Sequence, residues 1–309
     1  MMFLKPKFWD YDEVSIYSIL LLPITLCLKL LFLLKKTLVK ENQLAIPVIC
    51  VGNIYIGGTG KTPLSIELFH ILKKLNKKPA FIRKKYSSFQ DEINLLKNVG
   101  PIYENKKRFE AINDAIKNDH EIVILDDGFQ DFSIKKNLSI ICFNEKQWIG
   151  NGLTIPSGPL RENIKSLNRA EFVFINGSKK IDIEKKILEI NNNIKIFYTR
   201  FELQNINEFK GKRSICFAGI GNPQNFFDLL KENKVNVVEE ISFPDHHNYS
   251  KKELEELIKR AKGTNSILLT TEKDYERISA DNKIEIKYIK GKTKINDQDR
   301  FIDEIKKFI

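Results

Sequence analysis

The sequence predicts an α/β protein: a mostly parallel sheet covered by helices, then a second, smaller α/β domain. Three observations predict it. Short β-branched runs alternate with polar helical stretches along most of the chain. The 309 residues suffice for about two domains. A glycine-rich turn, Gly57 to Gly60, lies between a predicted strand and a predicted helix.

Before the first strand, Val14 to Leu34 is apolar with a single charge, Lys29. As one helix it would be roughly 32 Å long, about one hydrocarbon core. Pro23 would kink it. Asp10, Asp12 and Glu13 precede the run and no small-residue cleavage site follows, which argues against a cleaved signal peptide. Lys29, Lys35, Lys36 and Lys40 favour a cytoplasmic C-terminal side, a bias that Lys5 and Lys7 weaken. The reading is one membrane-anchoring helix, spanning or lying in the interface. The alternative is a buried core helix.

The soluble pattern starts after Lys40. Ala45–Val51 reads as a buried strand and Thr62–Leu75 as a helix with apolar Leu64, Leu68, Ile71, Leu72 and Leu75. Strands follow at Ala80–Ile82, Ile122–Leu125, Leu138–Phe143 and Phe172–Ile175, with helices at Glu92–Lys97, Phe109–Asn118 and Ile181–Ile190. Tyr198–Gly211 reads as a connector. A second series has strands near Ser214–Ala218, Asn236–Val238, Ile267–Thr270 and Ile284–Ile289. Its helices lie near Pro223–Glu232, Lys251–Ala261 and Gln298–Phe308. The expected division is 1–40 for the anchor region, 41–200 for the first α/β domain and 201–309 for the second, its C-terminal segment able to pack back on the first.

Composition narrows the function classes. Hydrophobic residues make up 42% and charged residues 29%, which excludes a disordered chain or a multi-span membrane protein. Cys27, Cys50, Cys142 and Cys216 form no Cys-x-x-Cys pair, so a disulfide framework or cysteine zinc site is not expected and a reducing compartment fits. The net charge of +11 suits nucleic acid, anionic lipid headgroups or phosphorylated substrates, or simply reflects a lysine-heavy composition. The basic residues are scattered, with no stripe interleaved with aromatics, so no nucleic-acid partner is expected.

The chemistry starts at Gly57-Gly58-Thr59-Gly60-Lys61-Thr62. Glycines let backbone N–H groups close around phosphate oxygens, and the helix N-terminus adds favourable potential. Lys61 would neutralise the β- and γ-phosphates, and the Thr62 hydroxyl would hold Mg²⁺. The loop is a variant: the full pattern wants glycine five residues before Gly60, and Tyr55 stands there. With Ile56, Tyr55 opens the candidate ATP-binding stretch. Ile122-Val123-Ile124-Leu125-Asp126-Asp127 brings two carboxylates to the end of a buried strand, where they could hold Mg²⁺ or cap a helix. Together these elements predict a P-loop NTPase-like domain binding a nucleotide and Mg²⁺.

Further motifs decide what receives the phosphoryl group. They are Val51-Gly52-Asn53, Asp126-Asp127-Gly128-Phe129-Gln130, Gly158-Pro159-Leu160-Arg161-Glu162, Ala218-Gly219-Ile220-Gly221-Asn222-Pro223, Phe243-Pro244-Asp245-His246-His247 and Leu269-Thr270-Thr271-Glu272-Lys273-Asp274. Their order and spacing resemble the tetraacyldisaccharide 4′-kinase family, the lipid A 4′-kinases, over roughly Ala45 to Arg277 plus the apolar helix.

The resemblance implies transfer of the ATP γ-phosphate to the 4′-hydroxyl of a tetraacylated glucosamine disaccharide 1-phosphate, forming lipid IV-A. It implies Mg²⁺, an N-terminal anchor at the cytoplasmic face of the bacterial inner membrane, and two α/β domains flanking a cleft. It implies a lipid substrate and a membrane partner, with no obligate protein partner. A basic surface suits both the anionic headgroup and the membrane.

The resemblance also assigns roles. A His of the Asp-His motif pairs with an Asp of a Gly-Asp-Glu-Pro motif to form the base. His246 matches the first. Asp91, in Gln90-Asp91-Glu92-Ile93, is the candidate for the second, although the flanking glycine and proline are missing and only Ser87, Ser88 and Phe89 separate it from Arg83-Lys84-Lys85-Tyr86. The alternatives are surface loop histidines and an N-capping Asp91. His70 and His120 read as ordinary. Gln130 joins the nucleotide-binding set, and Asp131 stands where the family usually has His. Arg161 either meets a phosphate or makes a structural salt bridge. Two rival functions stay open: a membrane-tethered nucleotide hydrolase, for which no Asn-Lys-x-Asp guanine-reading segment is present, and a non-catalytic ATP-binding protein.

Overall fold

The computed structural model describes residues 5–11, 13–85 and 90–309. The apolar run does not form one helix. It breaks at Leu21 into α1 (Ile16–Leu20) and α2 (Leu22–Leu38), with Pro23 in the first turn of α2. Proline tolerates that position but cannot continue a preceding helix. Among the described residues no helix is long and apolar enough to cross a membrane. The 17 residues of α2 reach about 26 Å, short of a hydrocarbon core of about 30 Å. The expected single membrane-anchoring helix is therefore not supported as a span.

From there the chain runs β1 (Val48–Gly52), α3 (Lys61–Lys74), β2 (Pro79–Lys84), α4 (Gln90–Lys97), β3 (Ile102–Asn105), α5 (Arg108–Lys117), β4 (Ile122–Asp126), β5 (Leu138–Asn144), β6 (Phe172–Asn176) and α6 (Ile181–Ile190). It continues with β7 (Lys195–Leu203), β8 (Arg213–Ala218), α7 (Pro223–Glu232), β9 (Asn236–Ser242), α8 (Lys251–Gly263), β10 (Ile267–Thr271), α9 (Glu272–Tyr275), β11 (Ile286–Ile289) and β12 (Gly291–Ile295). A C-terminal helix, Gln298–Ile305, follows.

Eight strands form a sheet in the order β12-β7-β6-β5-β1-β4-β2-β3, and four form a second in the order β11-β10-β8-β9. β1 pairs parallel with β4 on one side and β5 on the other. Every residue of β1, β4 and β5 is buried, as expected of parallel strands covered on both faces. The expected mostly parallel α/β class is what the chain adopts.

The first part of the expected connector Tyr198–Gly211, up to Leu203, is strand. β7 runs from Lys195 to Leu203 and is followed by a short 3-10 turn, Ile206–Glu208. β7 lies near the sheet edge, so only some of its side chains are buried and its apolar signal is diluted.

The chain resolves into two compact units. One comprises residues 5–85, Val99–Arg200 and Thr293–Ile309; the other comprises residues 90–98 and Phe201–Lys292. α4 thus belongs with the second sheet although it follows β2 in sequence. In this second unit, Ser250 and Glu253 form a reciprocal capping box that starts α8, and the Asn222 side chain caps α7.

Candidate functional site

The first unit carries the phosphate loop at the carboxyl end of β1, where successive crossovers leave on opposite sides of the sheet. Such a switch point is the usual ligand position in an open parallel sheet. Gly57, Gly58 and Gly60 have φ of 74°, 60° and 84°, which L side chains rarely adopt. Gly60 is the N-cap of α3 in the left-handed region, and from it the helix N-terminus leads directly into Lys61 and Thr62. The Asn53 amide ties the loop by donating to Thr59 Oγ1 at 3.0 Å, and Gln130 Nε2 donates to the Asn53 carbonyl at 2.9 Å. Gln130 therefore holds the loop through its backbone.

Tyr55, the departure from the loop pattern, is fully buried. Its hydroxyl donates to Asp10 Oδ1 at 2.5 Å and accepts from Lys5 Nζ at 2.9 Å. Burial and the Asp10 carboxylate drive its pKa far upward. Its side chain is core, and the backbone of Ile56, donating to Pro159 O at 3.0 Å, continues toward the glycines.

The two carboxylates after β4 are placed differently. Asp126 is buried; its Oδ2 accepts from Thr62 Oγ1 at 3.3 Å and its Oδ1 from Ser65 Oγ at 3.0 Å, with Arg83 Nε 3.6 Å away. Asp127 meets cations instead: Lys61 Nζ lies 3.5 Å from its Oδ1, and Arg161 Nη1 lies 2.8 Å and 3.0 Å from its two oxygens.

Among the described residues no group of three His, Cys, Asp or Glu could hold a metal alone. The Thr62–Asp126 oxygens do fit Mg²⁺, which is commonly held by one or two protein oxygens together with substrate phosphates. Arg161 makes the ion pair that the sequence left as one of two options, in a position adjoining the phosphate loop.

The second unit brings Asp91 of α4 to His246. His246 Nδ1 lies 3.1 Å from Asp91 Oδ2 and 3.3 Å from Oδ1. His246 has φ of 58° and its amide donates to Gly219 O at 3.0 Å, so the backbone turn fixes the ring's origin. On the other side of the ring, Lys273 Nζ is 3.3 Å from Nε2. An ammonium has no acceptor, so Nε2 faces it with a lone pair and Nδ1 carries the proton given to Asp91. That is the tautomer a proton acceptor at Nε2 requires. Lys273 also lies 3.2 Å from Glu92 Oε1, 3.7 Å from Asp245 Oδ1 and 3.8 Å from Asp91 Oδ2.

Asp91 is 3% exposed, yet it stays ionised. Burial raises its pKa, but the His246 hydrogen bond, Lys273 and Arg277 outweigh it and hold the carboxyl below the ordinary range. For Lys273, burial lowers the pKa, and Glu92, Asp245 and Asp91 together overcome it, so the value is raised.

Arg277 buttresses the site: its guanidinium donates to Asp274 Oδ1 at 2.5 Å and to Gly219 O at 2.8 Å, and its Nε is 3.6 Å from Asp91 Oδ2. His247 stacks on Phe243 and pairs with Glu253 at 3.1 Å, so it is a packing residue. Tyr86 and residues 87–89 lie outside the described residues. Lys273 and Arg277 carried no assigned role in the sequence reading. The one available signal was that Lys273 belongs to a quoted motif.

Comparison with known proteins places the chain in a family. The sequence profile of the tetraacyldisaccharide-1-P 4′-kinase family matches residues 17–100 and 87–309. A tetraacyldisaccharide 4′-kinase of Pelagibacter ubique (strain HTCC1062) is 46% identical over 304 residues, covering 97% of this chain and 96% of that protein. A tetraacyldisaccharide 4′-kinase of Rickettsia typhi is 35% identical, covering 91% of this chain and 92% of that protein. The crystal structure of the "apo" form of LpxK from Aquifex aeolicus in complex with ATP superposes with a TM-score of 0.73 at 25% identity, covering 94% of this chain and 99% of that one. The Thr62–Asp126 and His246–Asp91 pairs thus sit in a chain that belongs to the tetraacyldisaccharide-1-phosphate 4′-kinase family.

Proposed function

We propose that this chain transfers the γ-phosphate of ATP to the 4′-hydroxyl of a tetraacyldisaccharide 1-phosphate, forming lipid IV-A in lipid A biosynthesis. The observation that carries the reading is the 3.1 Å pair of His246 and Asp91, in a family member that keeps Lys61 and Thr62 of the phosphate loop.

Phosphoryl transfer is mainly positioning and charge neutralisation. The glycine turn and α3 N-terminus orient the phosphates, Lys61 supplies positive charge to them, and Thr62 with Asp126 would hold Mg²⁺. When bound, Mg²⁺ neutralises phosphate oxygens. His246 Nε2 takes the proton of the acceptor hydroxyl, and Asp91 holds the ring in its tautomer and stabilises the imidazolium. Asp127 restrains Lys61 and Arg161 until phosphates compete for them.

An acylated acceptor stays in a bilayer, and the chain offers a means of reaching it. α2 is exposed on nearly every side except Thr25, with Leu26, Leu30, Leu31 and Leu34 each at least half exposed. Thr25 Oγ1 lies 2.7 Å from Ser157 Oγ and bolts the helix to its unit. This arrangement supports docking in the interface at the cytoplasmic face of the inner membrane. Beside α2 is a cavity of about 530 Å³ lined by Leu28, Phe32 and Leu33 together with Lys29, Lys36 and Arg161. Apolar walls with basic groups suit an acylated anion.

The test is transfer of labelled γ-phosphate from ATP to the tetraacyldisaccharide 1-phosphate in detergent micelles, with Lys61→Ala as control. Label in the lipid that vanishes in the control supports the kinase. Label released only as inorganic phosphate makes the chain a hydrolase, and ATP binding without turnover makes it a non-catalytic ATP-binding protein.

A further inference from the structure

Asp127 lies at φ 62°, a left-handed conformation that costs a residue other than glycine strain unless its surroundings enforce it. Its amide donates to Val51 O at 2.9 Å. Its carbonyl oxygen accepts from Arg108 Nη2 at 2.7 Å. Arg108 is the first residue of α5 and is 7% exposed.

The other arm of the guanidinium, Nη1, donates to Asp131 Oδ2 at 2.9 Å. Asp131 is itself held. Its Oδ1 accepts from Ser133 N at 3.1 Å and from Ser133 Oγ at 2.6 Å, and its carbonyl accepts from Lys136 Nζ. Burial raises the pKa of Asp131, but the bonds from Ser133 and Arg108 outweigh it, so the group stays an anion. One planar guanidinium therefore spans the turn from Asp127 to Asp131, one arm on each.

We propose that Arg108 and Asp131 form a positioning pair that holds Asp127 in its left-handed conformation and so sets where its carboxylate presents Lys61 and Arg161 to the nucleotide. The inference rests on the kinase reading for its activity arm. Arg108 acts on a backbone carbonyl and Asp131 acts on Arg108. Neither is a catalytic residue. Without the pair, Asp127 relaxes to negative φ and its carboxylate swings off Lys61.

The test uses Asp131→Asn and Arg108→Gln in the full chain. It reads melting temperature, kcat and KM for ATP in the transfer assay, and the rate of Lys61 acetylation without nucleotide by mass spectrometry. Asp131→Asn keeps shape and removes charge. It is expected to lower kcat about 10-fold, with KM for ATP changed less than about 3-fold. Lys61 acetylation should rise several-fold with little change in melting temperature. The double variant should be no worse than Arg108→Gln alone, because the two residues act in series. Guanidinium ion added to Arg108→Ala should restore part of kcat.

Unchanged Lys61 acetylation in both variants would overturn the proposal. So would a large fall in melting temperature with normal kcat per folded molecule, which marks a purely structural bond. If the unsubstituted chain transfers no label, the kinase reading fails, while Lys61 acetylation still decides whether the pair positions Asp127.

Discussion

His246 Nδ1 and Asp91 Oδ2 lie 3.1 Å apart although 155 positions separate the two residues in sequence. The carboxylate side chain is 2% exposed and the imidazole 22%, so the acid is sealed behind the ring and the ring meets solvent. This ordering suits the proposed roles, Asp91 in orientation and His246 in contact with the acceptor. Replacing His246 by Ala should lower kcat about 100-fold while leaving ATP affinity within about twofold. Fluorescent nucleotide titration beside steady-state kinetics separates the two. Equal losses in both would mark His246 as structural.

The same cluster predicts an acid limit. Asp91 has a folded-state pKa below its unfolded value of about 3.9. Its stabilisation is therefore complete above about pH 4 and is lost as pH falls through the folded value. Lys273 has a raised pKa, so its contribution is complete below its unfolded value of about 10.4 and fades only as pH rises through the folded value. The contributions of Asp91 and Lys273 to melting temperature should be flat between about pH 4 and pH 10. Asp91→Asn should flatten the fall on the acid side. An unchanged acid slope in that variant would remove Asp91 as its source.

Glutamates at Leu30 and Leu34, which are 59% and 52% exposed, should leave melting temperature unchanged. They should reduce sedimentation with anionic phospholipid vesicles by about tenfold. Undiminished sedimentation would show that α2 is not the docking element.

The chain has four free cysteines, of which only Cys27 is exposed. Burial pushes the Cys50 thiol up to about 11 and the Cys216 thiol up to about 12, and raises Cys142 as well. Thiolate is the reactive form. A colorimetric thiol reagent at neutral pH should therefore titrate one group in the native protein and all four in denaturant. A second fast native thiol would indicate opening around β1, β5 or β8.

The parts that could be read from sequence are local. Gly57 to Thr62 is one contiguous turn whose backbone conformations depend on glycine and whose helix starts immediately afterwards. β4 ends in Asp126 because a buried apolar run must give way to polar groups where the sheet ends. Other features were not local. β3 and β12 are short, half-exposed strands with little apolar periodicity. The division of labour between Asp126 and Asp127 was hidden because neighbouring carboxylates look alike in sequence. They part only when one backbone turns left-handed and the other stays in the strand. The single helix was misjudged because hydropathy over Val14–Leu34 does not register that Pro23, expected only as a kink, accompanies a division into α1 and α2 at Leu21.

The sequence by itself determined the α/β class and the phosphate loop, since each depends on residue type and short spacing, whereas His246 was singled out only through the family resemblance. Only the tertiary structure decided that α4 leaves the first sheet's unit to place Asp91 beside His246, that Lys273 faces Nε2 and that Arg108 holds Asp127. A hydrogen bond is made within about 3 Å. Residues 155 positions apart come that close only when packing of the intervening elements has closed the loop between them.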